Sequence, residues 1–163
     1  DDCRHCDCQN YSSGERLMAG VSGAFSDWRI AKGNWNFTDD AGATGTIVIF
    51  TVTGDIVCFA GASINVELTS TSNNGTMEVG VAGNTAALLI QDVMDSTAFQ
   101  IGDSWTLTKA SNTNGLELAD EPILIGNSVD IIQTIATNAA TAGDADYYLF
   151  WRPLSSDGNV VPT

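Results

Sequence analysis

Histidine, positive charge and long apolar runs are all scarce in this chain. Its 163 residues hold one His and six Lys+Arg against 20 Asp+Glu. The single histidine is His5, close to the first residue. A Ser-His-Asp or Cys-His centre needs a base held by a third group on rigid structure, so His5 is poorly placed for nucleophilic catalysis. No apolar stretch reaches the roughly 18 residues of a membrane-spanning helix. The glycine-containing stretches GVAGNT and GATGT lack the lysine of a phosphate loop, and neither opens a long helix after a strand. No long helical pattern alternates with the strand-like runs, which disfavours βαβ units.

The scarcity of positive charge is uneven. Arg4, Arg16, Arg29 and Lys32 supply four of the six basic residues within the first 33 positions. From Asn34 onward only Lys109 and Arg152 are basic, against 15 acidic residues, a net charge of −13. Such a body repels phosphate backbones, so nucleic acid is not an expected partner, and neither is a membrane. The composition divides the chain into an irregular N-terminal arm, residues 1–33, and a folded domain, residues 34–163.

What the body does contain is β pattern. TIVIFTV is a β-branched run of strand length, and IVCFAGASINVELT follows after the turn at Thr53-Gly54-Asp55. Ile64, Val66 and Leu68 alternate with Asn65 and Glu67. The turn TSNNG leads to TMEVGVA, and AGNTAALL fits a short helix as well as a strand. Further strands are expected in SWTLTK, PILIG, VDIIQTIAT and DADYYLFWRPL, with turns at TNG, GN and AGD between them. About eight strands at such spacing predict an all-β fold, an antiparallel β-sandwich of jelly-roll type. Ile47, Ile49, Val57, Ile64, Val66, Val79, Ile131 and Ile135 are its expected core.

The last strand is apolar on both faces, because Tyr147, Leu149 and Trp151 alternate with Tyr148, Phe150 and Arg152. Such a strand lies centrally in a sheet or at a subunit contact. Tyr147, Leu149 and Trp151 are accordingly expected at an interface of a homo-oligomer, a trimer being favoured.

Candidate chemical sites are few. Acidic residues are plentiful, but a glycosidase pair needs a set separation across a cleft, which spacing in sequence does not supply. Asp39-Asp40, Asp144/Asp146 and Asp157 occupy loop-like stretches and have the oxygen chemistry of calcium ligands, or serve as ordinary turn formers. Four tryptophans, Trp28, Trp35, Trp105 and Trp151, suit either core packing or stacking on sugar rings. The second function considered is therefore a glycan-binding module.

Three of the four cysteines sit in the opening CRHCDC: Cys3, Cys6 and Cys8. Cys3-x₂-Cys6 is one acceptable zinc pair, but four ligands (Cys3, His5, Cys6, Cys8) within six residues crowd a single ion, and no second pair follows. A redox Cys-x-x-Cys opens a helix in a βαβ fold, which this chain lacks. A local disulfide and an intermolecular role remain. In the second, Cys3, Cys6 and Cys8 anchor or crosslink one chain to another, or share a metal with it. No other cofactor is expected. Cys58, between Val57 and Phe59, reads as a small buried hydrophobe.

Three stretches carry a family likeness: TGTIVIFTVTGDIV, GTMEVGVAGNTAALLIQD and ILIGNSVDIIQTIATNAATAGDADYYLFWRPLSSDGNVV. Over about residues 43–161 they resemble small β-sandwich virion structural proteins of tailed bacteriophages, of the capsid decoration or head or tail fibre type. The resemblance implies a non-enzymatic component of the virion surface, with itself and a major capsid or other virion protein as partners. It carries no catalytic residues and does not extend to CRHCDC.

Overall fold

The computed structural model describes residues 27–95, 97–107 and 122–163, together with the backbone of 109–111. Eleven strands lie among them: β1 (Arg29–Asn36), β2 (Gly45–Thr53), β3 (Ile56–Ser70), β4 (Thr76–Val81), β5 (Asn84–Val93), β6 (Ser104–Thr106), β7 (Lys109–Ser111), β8 (Ile123–Ile125), β9 (Ile131–Ala136), β10 (Ala140–Pro153) and β11 (Asn159–Pro162). A four-residue helix, α1 (Phe37–Asp40), follows β1. The Asn36 side chain caps it by accepting from the Thr38 amide, and Asp40 returns the favour by accepting from the Asn36 amide.

The strands form two antiparallel sheets. One runs β1-β10-β3-β6-β7, with β8 also on β3; the other runs β11-β2-β9-β4-β5. From β1 to β4, and again from β8 to β11, successive strands change sheet. The all-β sandwich expected from the sequence is the fold observed. AGNTAALL, where a helix was equally plausible, lies in β5 and its preceding turn.

β9 alternates strictly, with Ile131, Gln133 and Ile135 buried. β2 does not: Ile49 and Phe50 are both buried, because a register shift between Val48 and Phe50 inserts one residue opposite β9. Between the sheets pack Trp35, Phe50, Leu68, Phe99, Trp105 and Tyr147. Each such aromatic or branched side chain stabilises the fold by about 1.5–3 kcal/mol through burial. Trp105 meets Phe99 edge-on at 5.0 Å and donates its indole N–H to the Ile90 carbonyl at 3.0 Å.

Five of the eight expected core residues (Ile49, Ile64, Val79, Ile131 and Ile135) are buried, and Ile47 and Val57 are half-buried. Val66 is 45% exposed. The cause is a register shift against β10: Ala145 pairs with Ile64 but Asp144 with Val66, so Asn65 is an extra residue. The bulge turns Asn65 and Val66 outward together, and a second shift before Thr69 restores Leu68 to the interior.

The sheet also reaches further toward the N-terminus than composition indicated. Residues 29–33, expected in the arm, belong to β1, which pairs with β10 from Arg29↔Trp151 to Asn36↔Asp144. RIAKGNWN has no β-branched run to announce it; its place is set by a partner more than a hundred residues away.

Candidate functional site

β10 lies between β1 and β3, so its two faces have different fates. Tyr147, Leu149 and Trp151 turn toward the other sheet and are covered within a single chain, at 1%, 0% and 3% exposure. They are core residues, which corrects their expected place at a subunit interface. Alternation marked two apolar sets on this strand but not which one the second sheet covers.

The other set faces outward and builds the candidate site. Across three strands Ile30, Phe150 and Phe59 stand in register. Phe150 and Phe59 stack with centroids 5.0 Å apart and an 11° tilt, and the Trp28 ring lies 5.0 Å from Phe59. The adjoining row is Arg152, Val57 and Leu124. Phe59, Phe150 and Trp28 are half-buried, whereas Ile30 is 65% and Leu124 70% exposed. Monomer burial thus leaves a contiguous apolar strip on the outer face of this sheet.

Cations lie around the strip, Arg152 and Lys32 on the outer face and Arg29, paired with Trp151, on the inner one. The Arg152 guanidinium lies 5.7 Å from the Trp28 ring centroid, and that of Arg29 lies 5.0 Å from the Trp151 ring. Lys32 sits over Tyr148 and pairs with Asp146 at 2.8 Å. Arg29 and Lys32, counted with the arm in sequence, therefore join Arg152 on one sheet. The sequence signal was present in the Tyr148, Phe150, Arg152 alternation, but the strand register was needed to gather the cations. Between the two arginines opens a cavity of about 600 Å³ lined by Asp27, Arg29, Arg152, Pro153 and Leu154.

Further along the same face the surface becomes polar. Asp144 accepts hydrogen bonds from Asn34, Asn65 and Asn36 at 2.8, 3.1 and 3.0 Å. For Asp146, burial pushes the carboxyl up, but hydrogen bonds from Lys32, Asn65 and Asn34 and the Lys32 charge outweigh it, leaving the carboxyl below its ordinary range. Two of the five aspartates considered as calcium ligands, Asp144 and Asp146, are thus tied to amide groups and a lysine. Among the described residues no cluster of three or more His, Cys, Asp or Glu is arranged to hold a metal.

Of the four tryptophans only Trp28 is partly open; Trp35, Trp105 and Trp151 are buried. Cys58 is a free buried thiol, as expected of a small hydrophobe. Cys3, His5, Cys6 and Cys8, the anchoring and shared-metal candidates, lie outside the described residues.

Two smaller cavities also open among the described residues. One of about 270 Å³ has mainly apolar walls, among them Val81, Ile123 and Val129. One of about 120 Å³ is bordered by Trp35 and Gln133, whose Nε1 and Nε2 atoms are buried without hydrogen-bond partners.

No protein-family profile matches the chain, and no curated protein matches it. Among solved structures it is similar to a chain described as the cyanophage Pam1 capsid asymmetric unit. The TM-score is 0.47 and the identity 12%, over 78% of this chain and 85% of that one.

Proposed function

We propose that the chain is a non-enzymatic structural protein of a phage virion: a jelly-roll sandwich displayed on the particle surface as a decoration or head-fibre element, self-associated and anchored through its N-terminal segment. The observation that carries the reading is the outer face of β1, β10 and β3. Aromatic, aliphatic and guanidinium groups lie there side by side, without the second sheet that covers the inner face. Aromatic residues and arginine are the types enriched in protein–protein contacts. The jelly-roll winding is supported by strand order: β1-β10-β3-β6 faces β2-β9-β4-β5, eight strands that pair as two interleaved four-stranded sheets. The family resemblance over residues 43–161 supports the virion assignment.

Glycan recognition is the less supported alternative, because it needs open tryptophan faces and Trp28 alone is partly open. Partners under the proposed reading are a second copy of the chain and a shell protein, with nucleic acid and membrane left out. The acidic body favours that choice. No described helix is long and apolar enough to cross a membrane.

The test is attachment. Purified protein is mixed with parent particles stripped of it, and bound protein is counted after sedimentation of the particles. Saturable binding at a fixed copy number per particle is the expected result. Absence of the chain from purified virions by mass spectrometry would overturn the assignment.

A further inference from the structure

We propose that the cleft between Arg29 and Arg152 receives an acidic segment from a second copy of this chain. The inference rests on the interaction-surface reading above and names the occupant and the two groups that hold it.

The argument starts from unmatched charge. The protein has 20 acidic residues and six basic ones, so a cation without a carboxylate is unusual in it. Lys32 follows the expectation and pairs with Asp146. Arg29 and Arg152 do not: among the described residues neither makes an ion pair, although Asp27 borders the same cleft. Each guanidinium instead rests against an indole face. Stacking uses the plane of the guanidinium and leaves its rim of N–H donors to other partners. One of those donors, Arg152 Nε, is buried without a hydrogen-bond partner. A carboxylate entering the cleft is met by the terminal N–H groups of the guanidinium, in the two-pronged geometry that arginine favours.

The surroundings select a polypeptide. Leu154, 48% exposed, lines the cleft, and Ile30 projects nearby on β1. The occupant therefore brings apolar side chains beside its carboxylate. A second copy has the right sign of charge nearly everywhere else on its surface. Two copies at −14 repel in most orientations, and contact is favoured where the acidic surface of one meets this corner of the other. Because the cleft and the acidic surface are different patches, the contact pairs unlike surfaces: made once per interface it builds a ring or a filament, and made reciprocally about a two-fold axis it builds a dimer.

The experiment is sedimentation equilibrium of the full chain under reductant, at two salt concentrations, for the parent protein and for Arg29→Glu/Arg152→Glu. Self-association at micromolar concentration is expected. It should weaken as salt rises from about 50 to about 500 mM. The double variant should associate at least about 100-fold more weakly, with an unchanged circular dichroism spectrum. If the variant misfolds, the Arg29 and Arg152 Nε–Hε resonances of the parent are followed on dilution, and both should shift. A parent that stays monomeric, association insensitive to salt or to charge reversal, or unshifted arginine resonances would overturn the proposal. Polyglucuronate binding to a monomeric parent would overturn it in favour of an acidic glycan. Particle attachment is scored separately: a monomer that still attaches removes this inference and leaves the virion reading standing.

Discussion

The Tyr147 hydroxyl donates a 2.6 Å hydrogen bond to Gln133 Oε1, linking β10 of one sheet to β9 of the other through the core. Both residues are 1% exposed. Met77 Sδ lies 3.7 Å from the same hydroxyl. Tyr147→Phe keeps the ring but leaves a buried amide oxygen without its donor, and should cost about 1–3 kcal/mol. Adding Gln133→Leu removes the stranded group, so the double variant should lose less than the sum of the single losses. Denaturant unfolding of the four proteins measures both quantities; a neutral Tyr147→Phe would show that the bond contributes nothing.

That bond illustrates what the sequence makes legible and what it withholds. β-Branched runs reveal β2, β3 and β9, and alternation reveals β10, because those signals are local. Gln133 reads as an outward polar residue until Tyr147 is placed opposite it. β1 is hidden for the same kind of reason: RIAKGNWN becomes a strand through pairing with residues 144–151. Alternation points Val66 inward, because nothing in INVEL marks the bulge at Asn65. On β10 both faces are apolar, so only the position of the second sheet distinguishes Leu149 from Phe150. The candidate site inherits that ambiguity, and its cations are gathered by register rather than by sequence proximity.

Alkaline stability should follow two buried groups. Burial pushes the Cys58 thiol from 9.0 up to about 12. Burial, with a smaller contribution from the Asp40 charge, raises the Tyr147 phenol above its ordinary value of 10.0. In both cases the unfolded chain ionises first. The stability these groups contribute is complete below the unfolded values and falls as pH rises through 9.0 to about 12. Unfolding free energy measured against pH should therefore decline above 9.0, less steeply in Cys58→Ala. With Cys3, Cys6 and Cys8 changed to Ser, Cys58 should resist a thiol reagent in the native state and react on unfolding. Rapid native labelling would contradict its burial.

The turn after β5 depends on one carboxylate. Asp95 accepts from the Thr97 amide and hydroxyl and from the Ala98 amide, at 2.8, 2.7 and 2.9 Å. The Thr97 side-chain and backbone bonds, more than that from Ala98, hold its carboxyl below the ordinary 3.8. With a lowered folded value, its contribution is present above the unfolded pKa and is lost as pH falls through the folded one. An NMR titration should place the Asp95 midpoint below 3.8. Asp95→Ala should cost about 1–2 kcal/mol, since up to three modest hydrogen bonds are lost. A midpoint above 3.8 would contradict the geometry.

Gly143 on β10 has φ +146, a conformation side chains rarely adopt, and a Cβ there would stand 2.9 Å from both Leu68 Cγ and Trp35 Cζ3. Backbone strain and overpacking act together, so Gly143→Ala should destabilise by about 2–4 kcal/mol. Gly83 offers a control for strain alone: its φ is +90, and a Cβ there meets nothing within 4 Å. Gly83→Ala should therefore cost less than Gly143→Ala by thermal unfolding. Equal losses would mean that contact with Trp35 and Leu68 does not matter.

The division of faces on the β1–β10 pair can be tested by separating stability from association. Leu149 is fully buried, and Leu149→Ala should cost about 2–5 kcal/mol through the cavity it leaves. Its effect on self-association, measured well below the melting temperature, should be small, because the side chain never reaches the surface. Ile30 lies across the strand pair from Phe150 on the outer face and is 65% exposed. Ile30→Ser should shift folding stability by no more than about 0.5 kcal/mol, yet weaken self-association by removing apolar surface beside Arg152. The opposite pattern, with Leu149→Ala dissociating the oligomer and Ile30→Ser leaving it intact, would return the interface to the inner face of β10. That outcome would require the sandwich to open on assembly, and hydrogen exchange of the β9 amides on dilution would then reveal the opening.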